Sequence, residues 1–199
     1  MNMNIAIDET GEKTRLQNMR VSQVKSMTFW GSHKDRLFAD YDFPKYTNDE
    51  IIDWYKTKTK GKRILIAITD LENLELVGYM TLRKISGFFK TAELGIVLNP
   101  DKIEKGYGSD AMKTLTRWFF TDLKYEKLNL TVAMYNDRAY RVYKKVGFKS
   151  IGRVYESFDN DEVNPFEDKK YENISKYFKR QGSVTYVNCI KMQMRREFL

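Results

Sequence analysis

One cysteine, one histidine and three prolines stand in a chain of 199 residues, and each scarcity closes a class of explanation. Cys189 alone excludes an intrachain disulfide and fits a reducing cytoplasm. His33 and Cys189 supply too few ligands for a structural zinc site and leave a Ser–His or Cys–His triad unsupported, so no metal is expected. Long apolar runs are missing too. ILIAI at 64–68 is far short of the ~20 residues that a spanning helix needs, so no membrane partner is expected. The opening MNMNIAIDETGEK lacks a basic region followed by a long apolar core, so no signal peptide is expected.

What is present is a globular composition, 42% apolar, with a net charge of +8. That charge could attract a phosphorylated ligand or nucleic acid. Lys and Arg are spread from Lys13 to Arg196, and no signature of an RNA-binding module appears, which argues against nucleic acid as a partner.

Residues 1–13 read as a loose tail or a marginal edge strand. Val21 to about Phe43 is more helical than extended, interrupted at Gly31. Thr47-Asn-Asp-Glu50 is a capping box that opens a helix closed near Lys60-Gly61. RILIAIT (63–69) and LVGYMTLRKI (76–85) read as a hairpin, and TAELGIVL (91–98) as a third strand. In that strand Ala92, Leu94, Ile96 and Leu98 share one face, and Thr91, Glu93, Gly95 and Val97 the other.

Helical spacing returns from Ser109 to Leu123 and in DRAYRVYKKV (137–146), which Gly147 ends. Strands are expected over 127–134, 148–158 and 184–194. Residues 159–182 form a polar insertion between the last two, with a helix expected after Asn164-Pro165.

Two glycines in IEKGYGSDA (103–111) sit between a strand and a helix. They mark either a tight turn or a close approach to backbone amides at a helix N-terminus, where anions bind. No third glycine completes a dinucleotide fingerprint, and no Gly-Lys-Ser/Thr completes a P-loop. Together, LNPDKIEKGYGSDAM and NDRAYRVYKKVGF resemble the two acetyl-CoA motifs of the GNAT N-acetyltransferase superfamily. Asn136, Ala139, Tyr143, Gly147 and Phe148 match the second motif at every position. The first departs where Gln or Arg is usual, since Ile103 stands there. The closing IKMQMRREF is similar to the branch that holds spermidine and ribosomal-protein alanine acetyltransferases.

The resemblance implies an α/β single-domain fold over residues 14–199, with a mixed, mostly antiparallel sheet of about seven strands and helices on both faces. It implies acetyl-CoA as co-substrate and a primary amine as acceptor: a polyamine, a small amine, or a protein N-terminus or lysine. Pantetheine would bond to main-chain groups of Ile96, Val97 and Leu98. The pyrophosphate would meet the loop Ile103, Glu104, Lys105, Gly106, Tyr107, Gly108 and Ser109. Asn136 and Ala139 would flank the cofactor, with Asn136 equally an ordinary helix N-cap.

By the same resemblance Tyr143 is the acid that protonates the leaving thiolate, against the alternative of a core tyrosine. Glu93 is the candidate base, against that of a surface carboxylate; Thr131 closes the route that a glutamate on the next strand would offer. A non-catalytic acyl-CoA sensor or an RNA- or ribosome-associated binder of the same fold is the rival reading. A last strand left exposed could pair between subunits in a homodimer.

Overall fold

A computed structural model describes residues 5–198, and its elements follow the apolar periodicity. In chain order they are β1 (Asp8–Thr10), β2 (Thr14–Asn18), α1 (Val21–Met27), a 3-10 turn (Arg36–Tyr41), α2 (Asn48–Thr59), β3 (Ile64–Asp70), β4 (Leu76–Ser86) and β5 (Thr91–Leu98). Then come α3 (Tyr107–Thr121), β6 (Lys127–Ala133), α4 (Asp137–Val146), β7 (Lys149–Ser157), α5 (Glu172–Ser175), β8 (Phe178–Gln181) and β9 (Val184–Arg195). Among the described residues the sheet has nine strands in the order β1-β2-β3-β4-β5-β6-β9-β7, with β8 beside β9.

The sheet is mixed and mostly antiparallel, as expected, but it holds two more strands than the expected seven. The excess lies in short or polar segments: β2, and β8 within 159–182. Of the two readings of the N-terminus, Asp8–Thr10 takes the edge strand, and residues 1–4 lie outside the described residues. The Thr47 capping box forms as read, its hydroxyl and Glu50 each holding a free amide. No helix follows Asn164-Pro165 directly; Asn164 organises a turn, accepting from Phe166 and Glu167, and the helix comes later, at α5.

Helices cover both faces. On one, Val24, Met27 and Ile51 of α1 and α2 pack on Leu65 and Ala67. On the other, Met112, Leu115 and Phe119 of α3 pack on Leu94, Leu128 and Met192. Residues 159–182 help build a third, smaller core: their Tyr171 and Phe178, with Phe158, close on Leu37, Val187 and Cys189. The last strand is not exposed, which corrects the expectation that it could pair between subunits. β9 is paired on both sides, by β6 and by β7 and β8, so it has no free edge to offer a second subunit.

One feature of the sheet positions the site. β5 and β6 are parallel and pair only at Thr91↔Lys127, Ala92↔Leu128 and Glu93↔Asn129. Beyond Glu93 the two strands part. On its other side β5 stays paired to β4 as far as Gly78↔Leu98, so its edge toward β6 is the one left open. No helix among the described residues is long and apolar enough to cross a membrane.

Candidate active site

At the parting of β5 and β6 the fold opens a cavity of about 630 Å³, lined from both faces of the sheet. Most residues expected to hold the cofactor meet there. Ile96, Val97 and Leu98 come from β5, and Ile103, Glu104 and Gly106 from the following loop. Gly108 and Ser109 come from the first turn of α3, and Asn136, Ala139 and Tyr143 from the start and inner face of α4. Two expected residues turn elsewhere. The Tyr107 hydroxyl donates to Asp70 at 2.6 Å, and the Lys105 carbonyl accepts from Lys13 Nζ at 3.2 Å.

The glycines have distinct local reasons. Gly106 has φ 88°, a left-handed conformation that side chains rarely tolerate, and as N-cap it offers no side chain to the free amides of α3. At Gly108 a Cβ would stand 3.1 Å from Leu98 Cδ1, so the helix start lies tight against the end of β5. The first turn of α3 therefore presents unpaired N–H groups and a positive dipole end to the cavity. Arg138, in the first turn of α4, adds a cation and lies 3.8 Å from Glu104 across the cleft.

Asn136 is buried and caps α4, its Oδ1 accepting from the Ala139 amide at 3.1 Å. Tyr143 lines the cleft one turn further on, its ring 6.2 Å from that of Phe148. Burial, aided by the neighbouring Tyr41, pushes its hydroxyl well above the ordinary phenol range, against a smaller lowering by Arg138. It therefore holds its proton at neutral pH.

Glu93 is placed differently. It borders an adjoining cavity rather than this one, and its carboxylate meets Arg83 at 2.5 Å and Lys84 at 2.7 Å. Burial would raise its pKa, but the two cations outweigh this and hold it below the ordinary carboxylate value. A carboxylate so held is a weak base, and the structure does not bring it together with Tyr143.

Residues that sequence reasoning did not select complete the cleft on the α1–α2 side. They are His33, Phe38 and Tyr41, Lys58 of α2, Tyr79 and Thr81 of β4, and Glu156 of β7. No local motif marks them, because they come from five segments that only the tertiary fold unites. Lys58 is half-buried and lies over Trp54; burial, then Arg63 and Arg83, lower its pKa. Acids gather near the 3-10 turn: burial, then Asp159, Asp161 and Glu162, raise the pKa of Asp40. Glu162 itself is taken in a bidentate pair by Arg36, both contacts 2.5 Å.

Known proteins resemble this chain in sequence and in fold. The family model for the acetyltransferase (GNAT) domain fits residues 14–149. The spermidine N(1)-acetyltransferase of Vibrio cholerae is 23% identical over 148 residues, covering 74% of this chain and 80% of that protein. The spermidine N(1)-acetyltransferase of Escherichia coli is 32% identical over 84 residues, 42% of this chain and 45% of that one. In fold, the chain is similar to a GNAT-family acetyltransferase from Bacillus anthracis, with TM-score 0.70, 18% identity and coverage of 96% and 99%. It is also similar to the Vibrio cholerae spermidine N-acetyltransferase in complex with CoA and spermine, with TM-score 0.69, 18% identity and coverage of 93% and 96%.

Proposed function

This chain belongs to the GNAT acetyltransferase family, and from that premise we propose that residues 14–199 transfer an acetyl group from acetyl-CoA to a primary amine by direct attack in a ternary complex. The observation that carries the reading is the parting of β5 from β6 over a cavity that Gly108, Asn136 and Tyr143 all line.

The residues fit the co-substrate's chemistry. The open edge of β5 at Ile96–Leu98 offers main-chain groups to an amide-bearing arm, as an added strand would. The bare first turn of α3 suits a pyrophosphate, with ~0.3–1 kcal/mol from the helix dipole plus its hydrogen bonds. Arg138 stands beside that loop as a counter-charge. Acetyl-CoA, when bound, supplies the activated acetyl thioester. Tyr143 then serves as the acid for the departing thiolate, its proton kept in place by burial.

The amine approaches from the α1–α2 side. Burial, then Asp159, Asp161 and Glu162, raise the pKa of Asp40, which adjoins the cleft residue Tyr41, so acids gather next to the cleft although the chain is basic. That, with the names of the spermidine acetyltransferases it resembles, supports a cationic primary amine as acceptor. Glu93 is not assigned as base, because two cations already occupy it. Holding amine and thioester together is itself worth several kcal/mol, up to about 7–11 for ideal alignment. The free cysteine, Cys189, is in keeping with a reducing cytoplasm as the site of the reaction.

The test is a panel of polyamines, small amines and peptides incubated with acetyl-CoA and read by thiol release. Amine-dependent release with at least one member is expected. Binding of acetyl-CoA without turnover on any amine would favour the rival, an acyl-CoA sensor.

A further inference from the structure

The single histidine of the chain is a cleft residue with a carboxylate behind it. His33 Nδ1 lies 2.6 Å from Asp42 Oδ1, and the same oxygen accepts from the His33 backbone amide at 2.9 Å. Asp42 Oδ2 accepts from Arg36 Nη1 at 2.7 Å, and Arg36 is fixed in turn by Glu162. Burial would raise the Asp42 pKa, but the bonds from His33 and Arg36 outweigh it, so the group is a carboxylate. The two side chains are only 8% and 13% exposed.

A carboxylate only accepts, so Nδ1 carries a hydrogen, and in the neutral ring the lone pair is on Nε2. Nε2 has no hydrogen-bond partner among the described residues. The ring packs in a cluster with Phe38 and Tyr41, at 5.9 and 6.3 Å between centroids, and all three line the cleft that also holds Tyr143. Tyr41 in turn is near enough to raise the pKa of Tyr143. A purely anchoring histidine would need Nδ1 and its backbone amide alone. It would not need to line the cavity.

Resting on the transferase reading above, we propose that His33, oriented by Asp42, is the base that takes the proton from the acceptor ammonium. The need is real: an alkylammonium has a pKa of ~10.4 and cannot attack until it loses a proton. The step balances. His33 Nε2 accepts one ammonium proton and later gives it to solvent. The amine's lone pair forms the C–N bond, the C–S bond breaks, and the thiolate takes the Tyr143 proton. Tyr143 recovers its proton from the nitrogen as that becomes a neutral amide. Products are the acetamide, free CoA thiol and one released proton.

The experiment uses the full chain and an amine that the unaltered protein accepts in the thiol-release panel. His33→Gln keeps a donor for Asp42 but has no basic nitrogen. Its kcat/KM for the amine should fall by ~10²–10⁴-fold, while acetyl-CoA affinity and Tm stay close to those of the parent. In His33→Ala, added imidazole should restore turnover at least tenfold, a rescue that a structural role would not show. As the chain has one histidine, its imidazole gives one set of ¹⁵N signals; amine added with CoA should shift Nε2 more than Nδ1. If the unaltered protein turns over and His33→Gln matches it, or imidazole rescues nothing, His33 is not the base and the transferase reading stands. If the unaltered protein releases thiol with no amine, the transferase reading fails and this assignment with it.

Discussion

Tyr143 and Glu93, paired as acid and base on sequence grounds, come to different ends in the structure. Tyr143 faces the cleft with its hydroxyl held protonated, so Tyr143→Phe keeps the ring and its packing on Phe148 and removes only the proton. Stopped-flow or steady-state assays should find kcat lowered ~10²–10⁴-fold with acetyl-CoA affinity retained; a core tyrosine would show at most ~0.5–1.5 kcal/mol of lost stability and normal turnover. Glu93 is an ion-pair residue. Glu93→Gln should leave kcat within a few-fold and cost about 0.2–1 kcal/mol per lost pair. The sign with pH follows from its lowered pKa. Its contribution is fully present above the unfolded glutamate value of ~4.3 and is lost as pH falls through the lower folded value. A Tm gap between parent and Glu93→Gln that is constant at neutral pH and closes in acid checks this. A gap that widened in acid would refute it.

At the scale of elements, the site was legible where its residues are local in sequence. The loop 103–109 and the Asn136-to-Phe148 motif each lie in one turn-and-helix unit, so the resemblance to the two motifs brought most of their residues to one wall. Gly108→Val tests the first: the branched side chain would enter the 3.1 Å approach to Leu98 and crowd the open amides, and calorimetry should show acetyl-CoA binding weakened at least tenfold. Unchanged affinity in a folded variant would reduce the loop to a plain turn. His33, Lys58 and Glu156 were not legible, because they share the cleft only once α2, β7 and the 3-10 turn have packed. Glu93 was read onto the correct face of β5, yet Arg83 opposite it in the β4–β5 pairing decides its state, and pairing is a property of two strands together. β2 and β8 escaped notice for another reason. Each is short and polar outward, and only their partners β3 and β9 supply the burial that makes them strands.

In the whole molecule the chain's closing third is structural as well as functional. Residues 159–182, expected as a polar insertion, contribute Tyr171 and Phe178 to the small core under the 3-10 turn, while Glu162 ties them to Arg36. That core also supports Phe38, which lines the cleft, so the acceptor side is built by contacts far apart in sequence. β9 inserts between β6 and β7 and fixes the strand whose departure from β5 opens the site. In the proposed function two substrates meet in this one gap, and Cys189 is not among the residues that line it. The single cysteine is buried, and burial pushes its thiol up to about 12. Direct transfer is therefore the central claim. Initial rates measured with acetyl-CoA and an accepted amine both varied test it most directly. The account predicts intersecting double-reciprocal lines, the mark of a ternary complex, and no acetylated protein on intact-mass analysis after acetyl-CoA alone. Parallel lines together with a stoichiometric acetyl-enzyme would contradict it.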